Sequence, residues 1–104
     1  MCKKIIVTTL CDSKEIALKI QNELLNMRLV AGCQISEVES TYYWNGKIEN
    51  AHEYKLEMRS KENLFQEIEQ VIKQIHNYEV CELSYLEIKG ANKEFLDWID
   101  RETK

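Results

Sequence analysis

The sequence predicts an α+β fold of the split β-α-β, ferredoxin-like kind: strand, helix, strand, strand, helix, strand, then a C-terminal helix. Three observations predict it. Apolar residues recur at helical spacing in two blocks, Ile16–Met27 and Leu64–Ile75. Between those blocks the period drops to two, over a pair of segments that meet at Asn45-Gly46. Short apolar or β-branched runs flank the whole unit.

Lys3–Thr9 (Lys-Lys-Ile-Ile-Val-Thr-Thr) is compact and β-branched and reads as a buried strand. Asp12 or Ser13 offers an N-cap, with Glu15 in the first turn, and Ile16, Ala17, Ile20, Leu24 and Met27 then fall on one face. The spacing predicts a helix over 13–29. After Gly32, Cys33 and Ile35 alternate with polar neighbours, whereas Val38, Ser40, Tyr42 and Trp44 continue one position out of phase. Such a slip predicts a β-bulge near Ser36-Glu37. Asn45-Gly46 is a strong two-residue hairpin signal, and Tyr54, Leu56 and Met58 alternate on the return, giving strands over 31–44 and 47–59. Ser60 with Asn63 marks the next helix start, and Leu64, Phe65, Ile68, Val71, Ile72 and Ile75 form its apolar stripe up to His76. Val80–Ile88 reads as the last strand, Gly90 ends it, and Phe95, Trp98 and Ile99 make a short terminal helix. The helices are expected to cover one face of an antiparallel sheet.

With 104 residues, 44% hydrophobic and 31% charged, the chain has the size and composition of one globular domain, 1–104. A net charge of −4 with scattered basic residues argues against nucleic acid, whose binding depends on neutralising phosphates. No apolar run is long enough to span a membrane, and the apolar start Ile5-Ile6-Val7 is too short for a secretory signal, so a cytoplasmic protein is expected. Cys2, Cys11, Cys33 and Cys81 match no zinc-finger or Cys-x-x-Cys spacing. They read as reduced thiols, with Cys33 and Cys81 among apolar residues and Cys11 at a loop beside Asp12.

Strand length carries a further message. Hairpin strands of about 13 residues reach roughly 43 Å, whereas helices of about 16 residues cover about 24 Å. The ribbon therefore overhangs its helices, and its tip carries Tyr42, Tyr43 and Trp44. A bare two-stranded ribbon is marginal in water and its edges invite pairing. A second copy of the same chain is the simplest cover, which predicts a homo-oligomer.

Ser40-Thr41-Tyr42-Tyr43-Trp44-Asn45-Gly46-Lys47-Ile48-Glu49, with His76-Asn77-Tyr78-Glu79-Val80-Cys81-Glu82, resembles the CutA divalent-cation tolerance family. Leu29-Val30-Ala31 and Phe95-Leu96-Asp97-Trp98-Ile99 are similar to two further segments of it, so the resemblance runs over about residues 4–101. It implies a ferredoxin-like subunit of a homotrimer whose ribbons extend across neighbours, a build similar to the PII signalling proteins. It also implies a role in tolerance of copper and other divalent cations, with no established reaction. Asn77 and Cys81 stand where the family has prolines, which removes two fixed φ angles. Thr9 stands where some relatives carry a metal-binding cysteine, with Cys11 two residues on.

The candidate metal ligands that follow are His76 and Glu82, with Cys11, or else Cys81, as a soft third donor, a set suited to copper or zinc as a non-obligatory ion. The alternative for His76 is a helix-ending residue. Tyr42, Trp44, Lys47 and Tyr78 either line a pocket between copies, as in a small-molecule sensor or signalling adaptor, or pack an interface. His52 takes no role. Neither a nucleophile elbow nor a phosphate loop nor a His-Glu-x-x-His motif is present, so no catalysis is expected.

Overall fold

The structure, a computed structural model, describes residues 2–104. Its elements are β1 (Lys4–Cys11), α1 (Lys14–Asn26), β2 (Gly32–Trp44), β3 (Lys47–Lys61), a 3-10 turn (Glu62–Leu64), α2 (Phe65–Ile75), β4 (Leu83–Glu87) and α3 (Lys93–Glu102). The four strands form one antiparallel sheet in the order β2-β3-β1-β4. The α+β architecture and the strand-helix order thus follow the sequence reading.

Ser13 starts α1 by accepting the Ile16 backbone N–H on its Oγ at 3.2 Å. Ser13→Ala is expected to cost about 0.5–2 kcal/mol, because it leaves an orphan donor in the first turn. Urea unfolding of the variant checks this through its midpoint. The helix stops earlier than its apolar spacing suggests. Arg28 adopts a left-handed φ of 57°, and the Leu29 N–H closes back onto the Leu24 carbonyl at 2.9 Å, a Schellman ending. That turn sends Leu29 and Val30 into the core, where both are buried.

Ile5, Val7 and Cys11 of β1 and Leu56 and Met58 of β3 point to the same side. There they meet Ala17, Ile20 and Leu24 of α1, and Ile68 and Ile72 of α2. Ser60 and Lys61, expected to open a helix, instead belong to β3. Ser60 is buried, and its hydroxyl donates to the Leu29 carbonyl at 2.5 Å. A side chain that has found a carbonyl on a neighbouring segment no longer serves as a cap. The last strand is also shorter than expected, because 76–82 is irregular backbone held by side chains.

The third helix corrects the expectation that the helices share one face. Asp100 lies 3.5 Å from Lys4 Nζ and 3.7 Å from Lys61 Nζ. Lys4 and Lys61 are cross-strand partners and alternate with the inward Ile5 and Ser60. Helix α3 therefore packs on the opposite side of the sheet from α1 and α2. Its Trp98 sits over Gly32, where an added Cβ would lie only 2.9 Å from the indole.

The hairpin contains no bulge. Every residue from Gly32 to Trp44 has one partner, from Arg59 to Lys47, without a break in register. Asn45 and Gly46 both have positive φ, 52° and 78°, the two-residue turn whose twist suits a hairpin. The slip in apolar phase has a different cause: the covered face changes while the pairing register continues unbroken. Cys33 and Ile35 face the helices, whereas Val38 and Ser40, the more sheltered residues farther out, face the other way. The molecule measures 44 Å along its longest axis, against about 20 Å for the 13 residues of α1, and all of 41–50 is exposed.

Candidate functional site

The carboxyl end of β1 meets segment 76–82, and this corner holds most of the predicted ligands. Strand β4 pairs with β1 only as far as Thr9 opposite Leu83, so Leu10 has no β4 partner for its carbonyl. His76 fills that place, its Nε2 lying 2.6 Å from the Leu10 oxygen. Its Nδ1 accepts the Tyr78 backbone N–H at 3.2 Å. A carbonyl only accepts and an amide N–H only donates, which fixes the ring as the Nε2–H tautomer.

Three more bonds pin the same segment. The Thr9 hydroxyl donates to the Glu82 carbonyl at 2.8 Å. Asn77 Nδ2 lies 3.3 and 3.4 Å from the two carboxylate oxygens of Asp12. The Tyr78 hydroxyl donates to Glu53 Oε2 at 2.5 Å. Asn77 thus tethers the segment to the start of α1 through its side chain.

Glu53 is a carboxylate with 5% exposure on the open face of β3. Burial first, then the hydrogen bond and charge of Glu53, raise the Tyr78 phenol above its ordinary value. The phenol stays protonated and acts as the donor that a buried carboxylate requires. Glu53, Thr9 and Asp12 were absent from the sequence candidates.

Cys11 is not at a loop. It is the last residue of β1, fully buried, and opposite Tyr54. Burial, with Asp12, Cys81, Glu53 and Cys33 adding to it, pushes its thiol up to about 12. Cys33 is pushed up to about 11 by burial, against the pull of Arg59. Thiols held protonated in this way are poor nucleophiles and poor ligands. Cys33 and Cys81 are half-buried rather than core residues, and none of the four cysteines is paired. Glu82 is exposed, and its Oε2 accepts from the Ser84 hydroxyl at 3.3 Å.

The structure therefore brings His76, Cys11 and Glu82 to one corner without converging them on a point. Among the described residues no group of three or more His, Cys, Asp or Glu side chains is arranged to hold a metal ion. The arrangement does not fit a preformed metal centre.

Trp44 and Lys47 are direct cross-strand partners at the hairpin tip, and Tyr42 lies two residues along on the same face. Tyr78 is not at the tip; it sits at the ribbon's root on Glu53. Tyr42 and Trp44 are 43% and 39% exposed, and Tyr43 and Ile48 on the other face are 75% and 61% exposed.

Fold and corner together define a small α+β protein built around a long two-stranded ribbon, with polar pins at its sheet end. The chain belongs to the family described as CutA1 divalent ion tolerance protein, whose model matches residues 5–102. It is 34% identical over 100 residues to the divalent-cation tolerance protein CutA of Pyrococcus horikoshii, covering 96% of this chain and 98% of that one. The crystal structure of the Archaeoglobus fulgidus protein, described as a periplasmic divalent cation tolerance protein CutA, superposes with a TM-score of 0.94 at 31% identity, over 97% of this chain and 99% of that one. CutA1 from a psychrotrophic Shewanella, described as a stable protein, gives 0.93 at 30% identity, over 97% and 95%. The family name describes tolerance of divalent ions, not a reaction. Among the described residues no helix is long and apolar enough to cross a membrane.

Proposed function

We propose that the protein is a non-enzymatic homotrimer that supports tolerance of divalent cations by binding copper or zinc as cargo rather than as a resident cofactor. The observation that carries this reading is the posture of His76. Metal-ligating histidines donate their second ring N–H to a carbonyl or carboxylate, which orients the ring and raises its basicity. His76 already makes that bond to Leu10 and keeps Nδ1 behind a single backbone N–H. An incoming ion would take Nδ1 from Tyr78 and draw on Glu82, the exposed carboxylate six residues on. Cys11 is the weakest member, because its thiol must first lose a proton.

Titration calorimetry of copper and zinc into the wild type and His76→Ala tests this. The variant is expected to bind at least about tenfold more weakly, since a metal site loses that much even when a supporting residue is removed. Identical isotherms would remove His76 as a ligand.

The trimeric reading is supported by the family membership, the overhanging ribbon and the free edges of β2 and β4. Residues 1–104 would act as one unit within it. Four unpaired cysteines support a reducing, cytoplasmic location. A second reading, a PII-like small-molecule sensor or adaptor, is favoured by the shared face of Tyr42, Trp44 and Lys47, which between copies would offer aromatic surface beside a cation.

A further inference from the structure

The two histidines are partnered in opposite ways, and the contrast is informative. His76 faces one acceptor and one donor. His52, on β3, faces two acceptors. Its Nε2 lies 2.9 Å from Glu37 Oε1, and its Nδ1 bonds the carboxylate of Glu39. Both glutamates are on β2, two residues apart and on one side of the strand, and Glu39 is the direct cross-strand partner of His52. An imidazole satisfies two carboxylates at once only when both nitrogens carry hydrogen, that is, as the imidazolium.

We propose that Glu37, His52 and Glu39 form a proton-dependent clasp that ties the two strands of the ribbon together beyond the reach of the helices. The clasp lies within one chain and needs no partner.

Within the chain few charges compete for this cluster. Tyr54 presents its ring to the imidazole at 5.5 Å between centroids, with the planes 89° apart. On the far side Asn50 accepts the Thr41 hydroxyl at 2.8 Å and is thereby occupied. Among the described residues the ion pairs of Glu37 and Glu39 are those with His52, with no lysine or arginine on either. The hydrogen bonds of Glu39 and Glu37 hold the His52 proton above the ordinary histidine value of 6.5.

Deprotonation removes one donor and leaves a ring lone pair facing a carboxylate. One glutamate must then let go, and the two carboxylates, with no cation between them, repel. Because protonation is favoured in the folded ribbon, the stabilisation is complete at pH values below 6.5 and is lost as pH rises through the folded titration midpoint. Mild acid stiffens the ribbon and alkali loosens it.

The test combines imidazole NMR with amide exchange on the full chain. His52→Gln deletes one of the two histidine signals and so assigns it. The wild-type His52 midpoint is expected above 6.5, and Glu37→Gln and Glu39→Gln are each expected to lower it. Corrected for intrinsic rates, exchange over residues 36–54 is expected to speed up roughly two- to fivefold as pH rises through that midpoint, the scale of an exposed ion-pair cluster. The β1 amides should stay flat, and His52→Gln should show no step. A midpoint at or below the ordinary value, or one indifferent to both Gln variants, overturns the clasp. So does an exchange step that persists in His52→Gln. Where ribbon amides exchange too slowly to follow, the midpoints decide by themselves.

Discussion

Leu56→Ala is expected to lower the unfolding free energy by about 2–5 kcal/mol. Leu56 is fully buried on the inner strand β3, opposite Thr9 on β1 and Ile35 on β2, so the sheet closes round it on both sides. The helices above it are held by the same side chain cluster. A rigid sheet floor collapses little after truncation, which places the loss toward the upper part of that range. Guanidine unfolding at fixed protein concentration measures it, since any coupled dissociation adds a concentration term. A midpoint within error of the wild type would contradict the account of the core.

Trp44→Ala is the second large effect, and it separates the single chain from the assembly. Within one chain the residue is 39% exposed at the tip of the ribbon, so truncation there removes little packing. Seated against a neighbouring copy it would be a buried aromatic, and its loss would cost about 3–5 kcal/mol. Light scattering over a dilution series is expected to show the variant dissociating at concentrations where the wild type holds together. Unchanged mass and unchanged melting temperature would place the indole outside any interface.

The fold was legible because its signals are local. The Asn45-Gly46 turn, the Ser13 cap and the stripe from Leu64 to Ile75 each state their own structure, and each is found. The errors arise where a distant partner decides. Ser60 looks like a cap until the Leu29 carbonyl is beside it. Cys11 looks like a loop residue until Tyr54 pairs with it and β1 runs two residues longer. The phase slip at Ser36 looks like a bulge because a sequence records which side is apolar, not which side has a lid.

The site was legible only in part. His76 was singled out, but its tautomer depends on Leu10 and Tyr78, one of them sixty-six positions away. Glu53 gave no sign, since a glutamate on a strand reads as solvent-facing until a tyrosine from another segment covers it. His52 is the instructive case. A two-residue turn fixes the register of everything that follows it, so counting outward from Asn45-Gly46 already sets His52 across from Glu39. The signal lies in the spacing from the turn, and no motif marks it.

The unbroken ladder of the hairpin, with its shelter changing sides midway, has one further consequence. Up to Ile35 the odd-numbered residues of β2 belong to the subunit's own interior; from Val38 onward the even-numbered ones hold the sheltered side. Under the proposed assembly, self-sufficiency and sociability are written on opposite parities of a single strand, so selection is free to retune what the chain keeps company with while leaving untouched the lettering of its own interior.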